Sequence, residues 1–200
     1  DTRKINPGDI FFALKGENFD GNEFVKEAIG SGASFVVSEN PDFPMDRGVF
    51  VKDSLMALQD FAKMYREDLA VPTIAITGSN GKTTTKELVK EVFSQNKKVF
   101  ASPASFNNHI GVPLSILSIK PEHEVAVIEM GDNHEGEITA LCEIAKPTHG
   151  LITNIGHDHI GMSGGYEANV RSKLEFYKYI TPPLGEKGPI NFLNDKDEML

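Results

Sequence analysis

The sequence of 200 residues contains only one cysteine, Cys142, and no apolar run long enough to span a membrane. A single cysteine excludes an internal disulfide and favours a reducing compartment such as the cytoplasm. Without a long apolar run the chain cannot form a transmembrane helix of about 20 residues, and the N-terminus shows no signal-peptide pattern. The sequence therefore predicts a protein that does not insert into a membrane.

Basic residues are also scarce, since 20 lysines and arginines face 29 aspartates and glutamates, for a formal net charge of −9. Proteins that bind nucleic acids usually present a basic face, so this balance argues against a nucleic-acid partner. It does not exclude a small anionic ligand, which responds to the local field of its site. Apolar residues make up 40% of the chain, which is ordinary for a folded protein with a core.

The first part of the chain has the pattern of a small α/β unit. Short β-rich runs predict strands at 9–14, 33–39 and 48–53, and helical spacing predicts helices at 23–32 and 53–70. In the second helix, one apolar stripe is predicted from Leu55, Leu58, Phe61, Ala62 and Tyr65. Because Val71-Pro72 ends this helix, the domain boundary is predicted there, giving domains 1–71 and 72–200.

The second part alternates apolar strands with helices, the pattern of a parallel sheet covered on both faces. Strands are predicted at 73–77, 124–130, 149–155 and 188–194, and helices at 82–95, 136–145 and 166–180. In the first of these helices, Leu88, Val89, Val92 and Phe93 are predicted to share one apolar side. The fold class is therefore α/β, with a small N-terminal α/β domain followed by a mostly parallel, doubly wound domain of the P-loop ATPase type.

A glycine-containing turn, AITGSNGKTTTKE at 75–87, joins a predicted strand to a predicted helix. In this context backbone N–H groups converge on phosphate oxygens, Lys82 neutralises the β and γ phosphates, and the Thr83 hydroxyl ligates Mg²⁺. The usual spacing places a glycine where this chain has Ile76, so the match is to a shortened variant. The alternative is a glycine-rich turn with a surface lysine. The residues predicted to hold ATP or a relative are Gly78, Ser79, Asn80, Gly81, Lys82, Thr83 and Thr84.

Polar side chains follow other predicted strands, at the sheet edge where ligands collect in doubly wound folds. Glu129 ends an apolar strand, and a buried carboxylate there needs a partner or a metal ion. Asn154, His157, Asp158 and His159 follow the next strand, without the further cysteine or histidine that a zinc site requires. Taken alone, Lys173 is a residue of a solvated helix face, and Asn107 and Asn108 form a capped turn.

Four segments in order resemble the Mur ligases, a family that builds the peptide stem of bacterial peptidoglycan. They are TGSNGKTT, FNNHIGVPLS, IEMGDNHEGEI and ITNIGHDH. The opening DTRKINPGDIFFALKGENFDGNEFVKEAIGSGASFVV is similar to the UDP-sugar-binding domain of that family, so the resemblance covers nearly the whole chain. Within the family, NNHIGVPLS and EMGDNHEGEI are most similar to the members that add D-alanyl-D-alanine.

The resemblance assigns roles to particular residues. It implies that Lys82 and the amides of 78–84 hold the ATP phosphates, that Thr83 and Glu129 ligate one Mg²⁺, and that a second Mg²⁺ lies among Glu129, His159 and a carbamylated Lys173. It gives no role to His157 or Asp158. The residues implied to contact substrates are Asn107 and Asn108 near the acceptor, and Thr2, Arg3, Lys15, Gly16, Asp20 and Gly21 along the uridine diphosphate.

The implied activity is ATP-dependent ligation of D-alanyl-D-alanine to UDP-N-acetylmuramoyl-tripeptide through an acyl phosphate, by a monomer in the bacterial cytoplasm. The chain begins without methionine, so we expect it to be a fragment of a longer protein. Mur ligases have a third, C-terminal domain to which nothing here corresponds, so we expect this piece to be inactive alone. Two alternatives stay open. One is another amide ligase of the superfamily, such as the enzyme that adds the third stem residue or a folylpolyglutamate-type ligase, and the other is a non-catalytic nucleotide-binding module.

Overall fold

The structure is a computed structural model that describes residues 1–42, 46–132, 134–156, 166–181 and 188–192. Internal contacts divide the chain into two units, Asp1–Phe61 and Ala62–Leu200. The division falls inside one long helix, so the domain boundary expected near residue 71 stays a prediction. Within the described part of the chain, no helix combines the length and the apolar character needed to cross a membrane.

The first unit contains a three-stranded parallel sheet in the order β1-β2-β3. Its core is formed by one face of this sheet and the short helix α1, with Phe11, Val25 and Val36 buried together. The elements are 3-10 turns at Thr2–Lys4 and Gly21–Phe24, strands β1 (Ile10–Phe12), β2 (Phe35–Ser38) and β3 (Gly48–Phe50), and helices α1 (Val25–Gly30) and α2 (Ser54–Asp68), which continues into the second unit.

The second unit contains a five-stranded sheet in the order β5-β6-β4-β7-β8, and every described pairing is parallel. The first strand of the unit, β4, therefore lies at the centre. The strands are β4 (Thr73–Thr77), β5 (Val99–Ala101), β6 (Val125–Glu129), β7 (His149–Ile152) and β8 (Ile190–Phe192), and the helices are α3 (Lys82–Phe93), α4 (Gly111–Leu117), α5 (Glu137–Ala145) and α6 (Tyr166–Ile180).

Helices cover both faces of this sheet, because side chains alternate between faces along each buried strand. Ala75 of β4 lies in the cluster formed by α4, α5 and α6, whereas its neighbours Ile74 and Ile76 pack toward α3. All five residues of β4 and all five of β6 are buried. The predicted α/β architecture with a doubly wound, parallel second part is confirmed.

The predicted strands and helices are all present, β4 and α6 with the predicted bounds and the others with shorter ones, but two elements were missed and two predicted apolar stripes are only partly buried. The missed elements are β5 and α4. In α3 only Val89 and Phe93 pack on the sheet, while Leu88 and Val92 remain 62% and 70% exposed, so only part of the predicted apolar side is buried. Phe61 of α2 is likewise 42% exposed, although its ring lies 6.1 Å from that of Phe12 between centroids.

Candidate active site

The glycine turn joins the end of β4 to the start of α3, as the sequence predicts. Gly78 and Gly81 have φ angles of +136° and +78°, which side chains other than glycine rarely adopt. At Gly78 a Cβ atom would also lie 2.1 Å from the Thr153 hydroxyl and 3.0 Å from the Thr153 backbone nitrogen. The turn therefore needs glycine at position 78 for two independent reasons, the positive φ angle and the lack of space for a Cβ atom.

Residues after β7 hold this turn in place. The Ser79 and Asn80 backbone N–H groups donate to the Asn154 backbone oxygen at 3.1 Å and to Asn154 Oδ1 at 3.0 Å. The Thr153 hydroxyl donates to the Asn80 backbone oxygen at 2.6 Å, and the Gly156 N–H donates to the Ser79 hydroxyl at 2.9 Å. Asn154, which the sequence analysis placed among possible ligands at the strand ends, thus holds the turn in place by accepting two hydrogen bonds.

The start of α3 faces the turn with its first N–H groups uncapped by a side chain, because the N-cap residue is Gly81. A helix N-terminus of this kind favours an anion through its N–H groups and its dipole. Lys82 Nζ folds back over the turn and donates to the backbone oxygens of Gly78 at 2.6 Å and Ser79 at 3.1 Å. Positive groups and N–H donors therefore converge at this one end of the sheet.

Glu129 ends β6, the strand next to β4, and its residue surface is only 2% exposed. The Thr83 hydroxyl donates to Glu129 Oε2 at 2.9 Å, and Asn107 Nδ2 donates to Glu129 Oε1 at 3.0 Å. The two residues expected to share a metal ion, Thr83 and Glu129, are thus in direct contact. Their oxygen atoms are the hard ligands that Mg²⁺ prefers.

Lys86 was missed by the sequence analysis and lies beside Glu129. Its side chain is fully buried, and its ammonium group donates to the Ser102 backbone oxygen at 2.7 Å. It also lies 3.8 Å from Glu129 Oε2 and 3.2 Å from Glu87 Oε1. The hydrogen bond from Lys86 is the main reason that the pKa of Glu87 falls below its ordinary value. The spacing in the sequence could have identified Lys86 as a site residue, because it follows Thr83 by three positions and therefore shares its helix face.

Lys173 is buried in α6 and not part of a solvated helix face. Its ammonium group forms an ion pair with Asp132, which also accepts a hydrogen bond from the Ser172 hydroxyl. Asp132 was another residue missed in the sequence, although it follows Glu129 by three positions. His157, Asp158 and His159 lie outside the described residues.

The described residues do not test the expected second metal site. Among residues whose positions are described, no group of three or more histidine, cysteine, aspartate or glutamate side chains is placed to hold a metal ion. The expected set of Glu129, His159 and Lys173 therefore stays a prediction.

Adjacent asparagines at 107 and 108 have different surroundings. Asn107 contacts Glu129 through its side chain, and its backbone oxygen accepts from the Gly131 N–H at 2.7 Å. Asn108 Oδ1 accepts from the backbone N–H groups of Ile110 at 3.1 Å and Gly111 at 2.9 Å. The capped turn considered in the sequence is therefore present at Asn108, immediately before α4.

Four of the predicted substrate residues in the first unit form one tight loop after β1. Lys15 and Asp20 pair as an antiparallel bridge, and the Gly16 N–H donates to the Phe19 backbone oxygen at 2.9 Å. At Gly21 a Cβ atom would lie 2.5 Å from the Leu14 backbone oxygen, so a larger residue does not fit. This close packing accounts for the glycine without reference to any ligand.

Asp20 caps the turn that follows this loop. It accepts from the Asn22 backbone N–H at 2.9 Å, which is the main reason that the pKa of Asp20 lies below its ordinary value. Thr2 and Arg3 lie in the separate N-terminal 3-10 turn, where Arg3 Nε donates to Asp1 Oδ1 at 2.8 Å. Contact of these residues with a uridine diphosphate stays a prediction.

Comparison with known proteins agrees with the two-part organisation. Residues 76–199 match the Mur ligase middle domain, and residues 1–66 match the Mur ligase family, catalytic domain. The chain is 43% identical over 185 residues to the UDP-N-acetylmuramoyl-tripeptide–D-alanyl-D-alanine ligase of Synechocystis sp., covering 91% of this chain and 41% of that protein. The ligase of the same name from Bacillus subtilis is 40% identical over 199 residues, with 98% and 43% covered.

A solved structure with the same fold carries a nucleotide. The MurF ligase of Thermotoga maritima in complex with ADP is 34% identical and superposes with a TM-score of 0.81, covering 90% of this chain and 42% of that one. The chain thus spans about two fifths of the length of the curated relatives it matches. Because matches to the family extend over both units, the chain belongs to the Mur ligase family.

Proposed function

We propose that the full-length protein is an ATP-dependent ligase that joins D-alanyl-D-alanine to UDP-N-acetylmuramoyl-tripeptide. The single observation that supports it most directly is the 2.9 Å hydrogen bond from the Thr83 hydroxyl to Glu129, which connects the phosphate turn to the neighbouring strand end. The names of the Synechocystis and Bacillus subtilis relatives support the choice of acceptor and amine.

The residues present fit ATP and Mg²⁺. The uncapped start of α3 and the ammonium group of Lys82 suit phosphate oxygens, and ADP bound to the Thermotoga maritima relative supports a nucleotide at this site. Thr83 and Glu129 would hold the metal ion through a hydroxyl and a carboxylate oxygen. When bound, Mg²⁺ neutralises phosphate charge, which is the main obstacle when a carboxylate approaches a triphosphate.

The reaction that fits this site has two steps. The terminal carboxylate of the tripeptide attacks the γ-phosphorus of ATP, and the bond to the β-phosphate oxygen breaks, so an acyl phosphate and ADP form. The amine of D-alanyl-D-alanine then attacks the acyl carbon, loses a proton and displaces inorganic phosphate. In both steps Lys82 holds phosphate oxygens and Asn107 keeps the Glu129 carboxylate oriented.

We also propose the second metal site at Glu129, His159 and a carbamylated Lys173. Burial of Lys173 near the end of β6 supports it, because a buried amine can be shielded from water after it takes up CO₂. The carbamate would have to replace the ion pair with Asp132, since two anions would otherwise face each other. Native mass spectrometry in bicarbonate buffer should show one added CO₂, lost in a Lys173→Arg variant; an unmodified mass would contradict carbamylation.

The remaining substrate residues follow from the same proposal. The loop containing Lys15, Gly16, Asp20 and Gly21, together with Thr2 and Arg3, would bind the uridine diphosphate. The protein would act as a monomer in the bacterial cytoplasm. Light scattering of the purified full-length protein would detect a dimer, which would contradict the monomer.

The function is tested by supplying each candidate acceptor and amine separately to the full-length protein and measuring phosphate release. We expect release only with ATP, UDP-N-acetylmuramoyl-tripeptide and D-alanyl-D-alanine together. Release with a diamino acid or glutamate as the amine would favour another amide ligase. Nucleotide binding without acceptor-dependent release would favour a non-catalytic module.

Lys82 provides the sharpest single variant. Lys82→Ala should lower phosphate release by about a thousandfold or more, because it removes the ammonium group that lies over the turn and is proposed to hold the phosphate oxygens. Thermal unfolding should change little, since Lys82 is only half-buried. Lys90→Ala on the same helix is the matched control and should retain activity, and wild-type rates from Lys82→Ala would overturn the assignment.

A further inference from the structure

A buried cation beside Glu129 plays no part in the steps above. Lysine is almost never fully buried unless it is paired, and Lys86 is fully buried 3.8 Å from Glu129 Oε2. Its ammonium group is fixed by the Ser102 backbone oxygen at 2.7 Å and by Glu87 at 3.2 Å. Ser102 and Glu87 thus hold one positive charge within ion-pair distance of Glu129, a proposed metal ligand.

The charges around the proposed metal site then nearly cancel. Glu129 supplies one carboxylate, and Lys86 places one positive charge against the same oxygen that accepts from Thr83. Glu87, the other partner of Lys86, points to solvent with a side chain 48% exposed. Across the described residues Glu129 is not part of any group of three or more histidine, cysteine, aspartate or glutamate side chains that could hold a metal ion. Mg²⁺ gives up its water reluctantly and is usually held by carboxylates together with substrate phosphates.

We propose that Lys86 is a positioning residue that makes divalent-metal binding at Glu129 depend on the nucleotide, an assignment that rests on the proposed function. Its ammonium group keeps the Glu129 carboxylate oriented when no metal is bound. It also repels a metal ion that arrives alone. The negative charge of the nucleotide phosphates offsets that repulsion, so metal and nucleotide bind together.

The expected size of the effect follows from Coulomb's law. Even at the dielectric constant of bulk water, about 80, a unit charge about 6 Å from a divalent cation changes the dissociation constant roughly tenfold, and a lower local value makes the change larger. The loss of Lys86's charge should therefore tighten the binding of free metal by that factor. Binding in the presence of nucleotide should change much less, because phosphate oxygens then dominate the site.

The experiment measures Mn²⁺ binding to the full-length protein by electron paramagnetic resonance, with and without ADP. Mn²⁺ accepts the same oxygen ligands as Mg²⁺ and is directly detectable. The variants are Lys86→Gln, which keeps a hydrogen-bond donor for Ser102 but removes the charge, and Lys86→Arg, which keeps the charge. Lys90→Gln is the matched control, because Lys90 also pairs with Glu87 but makes no contact with Glu129 among the described interactions.

Wild type and Lys86→Arg should bind Mn²⁺ at least tenfold more weakly without ADP than with it. Lys86→Gln should bind free Mn²⁺ about tenfold more tightly than wild type, and Lys90→Gln should behave as wild type. Equal tightening by Lys86→Gln and Lys90→Gln, or none by either, would overturn the inference.

The wild-type comparison needs no variant, so the inference can be tested even when Lys86→Gln fails to fold. Wild-type Mn²⁺ affinity that is the same with and without ADP, while ADP itself binds, would overturn the role of Lys86 alone. Failure of ADP to bind at all would overturn the proposed function and this inference with it.

Discussion

The adjacent residues Asn107 and Asn108 have different structural roles near the site. Asn107 supplies the hydrogen bond to Glu129 Oε1, whereas Asn108 caps the turn before α4. Asn107→Ala should lower the free energy of unfolding by about 1–3 kcal/mol, because a buried carboxylate oxygen loses its donor. It should also slow phosphate release at least tenfold, since Glu129 is then free to reorient.

Urea denaturation and the phosphate-release assay measure these two effects. Asn108→Ala is the comparison variant for stability, with an expected loss of about 1 kcal/mol from the missing cap. Unchanged phosphate release in Asn107→Ala would show that its contact with Glu129 has no role in the reaction.

For individual residues, the sequence predicted some members of the site and missed others for a physical reason. Thr83 was found because it has a fixed place in the phosphate motif, and Glu129 because a carboxylate ending an apolar strand is unusual. Lys86 and Asp132 lie in polar stretches, where a charged residue is normally exposed. Their burial depends on partners that are distant in the chain, such as Ser102 and Lys173.

Among the helices, α3 shows how narrow a buried stripe can be. Val89 and Phe93 are four residues apart and pack on the sheet, while Leu88 and Val92 point to solvent. Leu88→Gln and Val92→Gln should therefore change the free energy of unfolding by no more than about 0.5 kcal/mol. Val89→Ala and Phe93→Ala should each cost about 1–3 kcal/mol, because both side chains are only partly buried.

Urea denaturation of the four variants measures these changes. The comparison requires that the free energy of unfolding depends equally steeply on urea concentration in all four. A loss above 2 kcal/mol in Val92→Gln would mean that another part of the full-length protein covers this side of α3.

Two missed elements had little local signal. β5 has only three residues, all half-buried, too few to show alternation. Helix α4 begins with Gly111-Val112-Pro113, a sequence typical of a turn, yet proline is tolerated in the first helical turn because the N–H it lacks has no partner there. By contrast β4 and β6 were predicted because each is a continuous apolar run, and α5 and α6 because each is long enough for helical spacing to show.

For the molecule as a whole, Cys142 reports on global folding. It is fully buried in α5, and burial is the main cause that raises the pKa of its thiol from 9.0 to about 12. The reactive thiolate is therefore absent from the folded protein near pH 8, and we expect no labelling by Ellman's reagent until the protein unfolds. Fast labelling of the native protein would contradict this.

The same shift sets the direction of a pH effect. Between pH 9 and about 12 the unfolded chain loses the thiol proton while the folded chain keeps it, so this group's contribution to stability is present below pH 9 and falls as the pH rises. Cys142→Ala should flatten that part of the stability profile, measured by urea denaturation at several pH values. An equally steep profile in the variant would assign the decline to other groups.

The central position of β4 has a consequence for how the chain folds. Thr73 at its start donates its backbone N–H to Thr148, 75 residues later, and its other neighbour, β6, is also far along the chain. Pairings between such distant segments close large loops and are slow to form. During synthesis β4 leaves the ribosome long before either partner exists, so its five buried residues are exposed at that stage, and α3, the next element of the chain, is the first that can cover part of them.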